Sequence, residues 1–296
     1  MEDLKAKPRQ SFLLLYRPCG VLLYVGCLYL FYKGFVAYYE QLYVPDMSYS
    51  RVMRTIFAPI NLLNVLLINI FYATLYKLQL PFIEQFRAID IDWPWIENPE
   101  HFKKHFPKAV KSYLINITSA VAYNQLIGLI RTPSLDPINK PTFPGFMWQF
   151  VVCILLEDFF FYWSHRLLHH PLLYARVHKQ HHECYNIIHL SAINAHWIEF
   201  LIGNYLPLMA GVLVLGGRLH IITLMFFVVY RTQKTHDAHS GYDFPAVLFN
   251  LAPCSTSSAY HNYHHLKNMG NYGSSFTIWD TIFRTNGPYH GDLKTN

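Results

Sequence analysis

Apolar residues gather in stretches far longer than a soluble core requires. The first, Phe12 to Tyr32, has Lys5, Lys7 and Arg9 before it and Lys33 after it. With these flanks, and no small-residue cleavage site behind a short apolar core, it is expected to be a retained membrane anchor. A second run, Ile56 to Leu80, is interrupted only by Asn61, Asn64, Asn69 and Lys77 and is long enough to span a bilayer. From Pro81 to Lys111 the chain turns polar and charged, with Trp93, Trp95 and the segment IENPEHFKKHFPK, which predicts a loop lying on the membrane surface. A third run, Val110 to Ile130, leads through TPSLDPINKPTFPG into a fourth, Phe146 to Trp163. Together these two read as a helical hairpin.

The last apolar segment, Phe200 to Tyr230, is about 31 residues broken at Gly216, Gly217 and Arg218. That is long for one span and short for two at roughly 20 residues each, so a broken or re-entrant hairpin is expected. If histidines before and after it share one site, it must return to the side it left. Thr232 to Asn296 is polar, rich in His, Asn, Gly and Tyr, and is expected to cap the membrane helices. The fold class is therefore all-α: an integral membrane bundle of about four helices or hairpins under a histidine-rich cap.

Composition agrees, with 52% hydrophobic and 14% charged residues. The net charge of +6 is spread along the loops, without the basic, aromatic-interleaved stripe that nucleic-acid binding needs. Membrane orientation accounts for it. Cys19, Cys27, Cys153, Cys184 and Cys254 form no CxxC pair and read as packed, reduced thiols. No linker or repeat divides the chain, so residues 1–296 are taken as one membrane domain: anchor helices at 1–80, a histidine-rich region at 81–288 and a tail at 289–296.

Of the 17 histidines, 14 fall between His165 and His265. His165 and His169 in HRLLHH are four apart and share a helix face. His178, His181 and His182 in HKQHH, and His261, His264 and His265 in HNYHH, combine spacings of three and four that gather side chains on one helical surface. Singly, each would be an ordinary hydrogen-bonded histidine. Jointly they point to metal, and eight exceed what one ion can take, since a closed zinc site uses four ligands. Two ions with four or five ligands each would absorb them. Imidazole alone does not name the metal.

His239 is a further candidate ligand, followed by His236 and His196. Glu157 and Asp158 sit within an apolar helix, where ionisable groups are functional suspects. Asp158 and Tyr162 share the stripe of His165 and His169, and Asp158 could orient an incoming histidine or bond another helix. Glu199 follows His196 in NAHWIE. Asp158, Tyr162 and Glu199 are thus candidates to support the ligands. His170, about 100 degrees around a helix from His169, is expected to face elsewhere, and His101, His105, His189, His220 and His290 keep the ordinary reading.

In sequence, order and spacing, EDFFFYWSHRLLHHPLLYARVHKQHHE, DAHSGYDFP and YHNYHHLKNMGNYGSSFTIWDTIF resemble the fatty acid hydroxylase and sterol desaturase superfamily, and within it the C4-methylsterol monooxygenases. The resemblance extends from about residue 80 to 288. It implies a four-helix membrane base with a cytosolic cap, and a di-iron centre at His165, His169, His178, His181, His182, His261, His264 and His265, joined by His239. It also implies dioxygen-dependent oxidation of a lipid C–H bond, with the C4-methyl group of a sterol as the leading target. Electrons would come from a cytochrome b5-type carrier and its NAD(P)H-dependent reductase, and the substrate would enter sideways from the bilayer. The isolated protein could carry zinc instead. The implied membrane is the endoplasmic reticulum, with the mitochondrial inner membrane as the other choice.

Trp197, Lys234, His236, Arg284 and Asn286 depart from residues usual in such relatives. Two alternatives follow: a hydroxylase or desaturase of another sterol or fatty acid, and a non-catalytic subunit that keeps the fold within a larger membrane complex.

Overall fold

The computed structural model describes residues 18–87, 99–183, 189–244 and 254–287. Helix α1 (Pro18–Leu42) buries Leu28, Tyr32, Phe35, Val36 and Tyr39, a stripe at helical spacing. The hydroxyls of Tyr32 and Tyr39 donate to Pro141 O and Leu135 O, each at 2.6 Å, and tie α1 to the proline-rich connector. The expected anchor thus runs on to Leu42, and its first residues, 12–17, lie outside the described ones. Helix α2 (Tyr49–Leu78) starts earlier than the apolar run, at a Ser48 cap, and contains a π-helical turn at Met53–Phe57.

The surface loop expected up to Lys111 is corrected, because helix α3 spans Pro99–Ile130. Pro99 suits a first helical position, Glu100 pairs with Lys103 at 2.8 Å, and Phe102 stacks on Phe106 one turn later. The charged stretch is therefore an amphipathic extension of the membrane helix, which a reading for apolar runs misses.

Helix α4 (Phe143–Leu168) is capped by Thr142 and precedes α5 (Trp197–Arg218), which holds a π-helical stretch at Phe200–Tyr205, and α6 (Ile221–Ala238). The expected α3–α4 hairpin does not form its main packing that way. Helix α4 packs chiefly on α5 and then on α6, whereas α3 packs on residues 189–193 and on the beginnings of α2 and α5. The connector explains this. Ser134 exchanges backbone hydrogen bonds with Leu219 and Ile221, at 2.8 and 2.9 Å, so the chain crosses the far end of the bundle before α4 begins.

The broken hairpin is borne out: α5 and α6 pack together and turn at Gly216–Arg218. Gly216 has φ +55°, and a Cβ there would stand 2.3 Å from the Arg131 side chain, so this turn needs glycine. Residues 221–228 of α6 are buried on every side, which marks it as the central helix. Helices α2, α3, α4 and α5 are each long and apolar enough to cross a membrane, and they expose leucine, isoleucine, valine and aromatic side chains outward. Beyond α6 lie α7 (Ser258–Lys267) and α8 (Ile278–Ile282). The expected cap begins at His239, because 232–238 continue α6. Among the described residues no strand forms, only isolated bridges. Cys27, Cys153 and Cys254 are free thiols.

Candidate metal centre

The histidines meet where α4 ends, α6 ends and α7 begins. His165 lies in the last turn of α4 and His169 caps it. His178, His181 and His182 occupy a 3-10 helix, His178–Glu183, that follows a short turn at Pro171–Tyr174. His239 caps α6, and α7, started by the Ser257 hydroxyl, carries His261, His264 and His265.

These nine rings form two groups. His165, His169, His178, His182 and His264 make one, and His181, His239, His261 and His265 the other; within each, one ring nitrogen per residue lies within 4.8 Å of the rest. The expectation that each HxxHH motif presents one surface is thereby refined. His178 and His182 turn to the five-histidine group and His181 to the other, while His264 parts from His261 and His265. Each motif straddles both groups, because adjacent residues on a helix diverge by about 100 degrees.

Backbone carbonyls fix several ring orientations. Nδ1 of His165, His264 and His239 lies 3.0, 2.6 and 2.8 Å from Tyr272 O, Gly270 O and Thr235 O. A carbonyl only accepts, so each Nδ1 carries the proton and each Nε2 is left as a bare lone pair. Yet His239 Nε2 faces His261 Nε2 at 3.0 Å and His181 Nε2 at 3.3 Å, and His261 Nε2 also faces His265 Nε2 at 3.2 Å. The one lone pair of His239 cannot serve two donors, nor the one proton of His261 two acceptors. In the other group His264 Nε2 faces His169 Nε2 at 3.1 Å, and His178 Nε2 faces His182 Nε2 at 3.0 Å. Converging lone pairs of this kind suit a cation at the centre of each group.

Burial, followed by mutual repulsion, holds His178, His182, His261, His264 and His265 well below the usual imidazole range, and burial brings His181 to about 3. Neutral rings are what metal coordination requires.

Among the supporting residues, Glu199 is buried with Oε1 3.0 Å from His178 Nδ1, at an angle short of a good hydrogen bond. Asp158 touches no histidine; it accepts from the backbone N–H of Ser275 and Phe276 at 2.6 and 3.1 Å and so anchors the cap. Tyr162 bonds Thr285 and receives Arg166, also away from the rings. His196 and His236 stand outside both groups. His196 caps α5 by accepting from Ile198 N, and His236 Nδ1 lies 2.8 Å from Thr232 O. His170 caps the Pro171 turn, His189 packs against Tyr72 and Tyr76, and His220 caps α6.

Sequence reading missed Asp280. It is fully buried and accepts from Tyr272 N, Gly273 N, Tyr260 OH and Thr285 OH at 2.7–3.0 Å, clamping the loop whose carbonyls hold His165 and His264. The run KNMGNYG was the available signal: Asn268, Gly270 and Asn271 all take the left-handed conformation there. A cavity of about 650 Å³, counted with its open mouth, borders His165, His178, His181, His239 and His261.

Residues 150–285 match the fatty acid hydroxylase family model. Over 141 residues, 47% of this chain and 46% of the relative, the sequence is 40% identical to methylsterol monooxygenase 1 of Rattus norvegicus. It is 33% identical to the C-4 methylsterol oxidase of Schizosaccharomyces pombe over 55% of this chain and 53% of that one. It is also 37% identical to methylsterol monooxygenase 2-2 of Arabidopsis thaliana over 49% and 58%. The chain thus spans about half the length of the curated relatives it matches. No solved structure matches it significantly. Residues 150–285, the stretch that matches the fatty acid hydroxylase family model, carry all nine gathered histidines, and the chain is similar there to methylsterol monooxygenases.

Proposed function

We propose that this protein is a membrane oxidoreductase that binds two iron ions through the nine gathered imidazoles and oxidises a lipid C–H bond with dioxygen, the C4-methyl group of a sterol being the favoured target. The observation that carries this reading is the double convergence of Nε2 lone pairs in buried, neutral rings. The names of the matched relatives supply the sterol. Iron in both groups would provide the redox capacity to use dioxygen, and electrons would come from a separate carrier of the cytochrome b5 type with its NAD(P)H reductase.

The chain's own contribution is to hold and shield. Gly270 O, Tyr272 O and Thr235 O fix three rings with Nε2 inward, and Glu199 stands against His178. Supports of this kind set ring orientation and basicity. The polar edge of the cavity is bound into the protein: Arg231 pairs with Glu157 at 2.6 Å, and Ser274 bonds the same carboxylate at 3.1 Å. A lipid substrate reaches such a site from the bilayer, so residues 81–288 would act as one catalytic unit upon the anchor helices, in the endoplasmic reticulum.

Metal analysis and lipid product identification on the purified protein test this, beside a His181→Ala, His264→Ala double variant that takes one ligand from each group. The wild type should carry about two metal ions per chain and convert a 4-methylsterol when supplied with a reductant. The double variant should fall to about one ion per chain, because the five-histidine group keeps four rings, and should lose turnover. Full metal content in that variant would place the metal elsewhere, and a metal-loaded wild type that turns over no lipid would leave a non-catalytic role.

A further inference from the structure

A second cavity, of about 780 Å³ with its mouth, lies beside the one at the histidines and is walled mainly by Tyr113, Ile117, Phe200, Tyr205 and Leu208. The two share the wall residues Ala192, Ala195, Asn204, Arg231 and Thr235. An elongated molecule can therefore lie in the apolar cavity with one end at the imidazoles. What it meets at the junction depends on the polar groups there. Arg231 and Thr235 bond each other, and Arg231 also binds Glu157, so both already have protein partners.

Asn204 differs. It is half-buried and borders both cavities, and its carboxamide bonds no other described residue. With no partner among the described residues, this carboxamide is available to a molecule lying in the cavities it borders. Its backbone setting agrees, since it lies in the π-helical stretch Phe200–Tyr205, a distortion that frequently marks functional sites. Asn116 and His236 also line the second cavity.

We infer that Asn204 is a specificity-determining residue that reads a hydroxyl group on an otherwise apolar lipid and holds it at the junction, at the histidine end of the molecule. A carboxamide offers both a donor NH2 and an acceptor oxygen, and a hydroxyl can engage either, whereas a carbonyl engages only the NH2. The inference deepens the oxidase reading and rests on it for the orientation. In a 4-methylsterol the 3-hydroxyl is on the carbon next to C4, so a hydroxyl held here would bring the methyl group toward the imidazoles.

The test is equilibrium binding to the full chain in detergent, with two probe pairs: a 4-methylsterol against its 3-deoxy counterpart, and a long-chain fatty alcohol against the matching alkane. Asn204→Leu should weaken the hydroxylated member of a pair about tenfold, the 1.4 kcal/mol of one good hydrogen bond, and leave the deoxy member unchanged. Asn204→Thr, which keeps a hydroxyl, should retain part of the preference, and the metal content of both variants should equal the wild type's. A preference confined to the alcohol pair supports the role of Asn204 and removes the sterol. Equal loss for both members of each pair, or a preference that survives Asn204→Leu intact, overturns the inference.

Discussion

His181 and His182 are neighbours in sequence, yet their rings enter different groups, and this makes their replacement by alanine unequal. His182→Ala leaves four histidines in its group, still enough for a full tetrahedral set; His181→Ala leaves three. Loss of even a supporting partner of a metal ligand costs about 10–100-fold in affinity, and removal of a ligand from the smaller set should cost at least the upper part of that range. The assay is metal per chain by mass spectrometry after dialysis against a fixed chelator. Wild type is expected to retain about two ions, His182→Ala nearly two with faster release, and His181→Ala about one. Equal loss from the two variants, or a larger loss from His182→Ala, would refute the assignment of separate groups of five and four.

Asp158→Ala should strip the carboxylate oxygen that accepts from the backbone N–H of both Ser275 and Phe276, lowering stability by roughly 2–4 kcal/mol. A thermal melt as high as the wild type's would contradict the anchoring role. Arg284 has φ +53°; Arg284→Gly should relieve up to about 1 kcal/mol of left-handed strain and raise the melting temperature by a few degrees. In chelator-treated protein, stability should fall as pH drops below about 6.5. The folded-state pKa values of His178, His181, His182, His261, His264 and His265 are lowered, so below the unfolded value the unfolded chain takes up protons that the folded one refuses. Each such group contributes up to about 1.4 kcal/mol per pH unit, and a melting temperature flat from pH 8 to 5 would contradict burial of neutral rings.

What the sequence made legible follows from what is local. Length and apolarity suffice to find α2, α4 and the α5–α6 turn, because each depends on residues adjacent in the chain. The pairing of rings was legible for the same reason, since i,i+4 spacing brings His165 to His169, His178 to His182 and His261 to His265. The division of the rings was not legible, because the groups that the middle rings join are set by distant partners, His239 for His181 and His169 for His264. The amphipathic start of α3 escaped because its charged face hides the Phe102–Phe106 pair from a search for apolar runs. Asp158 shows the limit most plainly. Its place on the histidine stripe of α4 was read correctly, but its partners, Ser275 and Phe276, lie 117 and 118 residues away in a loop that only the folded cap brings near. Asp280, on that cap, grips the same loop from the other side through Tyr272 and Gly273. The rings of His165 and His264 are therefore held by carbonyls that two distant carboxylates keep in place, so the metal-binding geometry depends on the docking of the cap onto α4 as much as on the histidine motifs themselves.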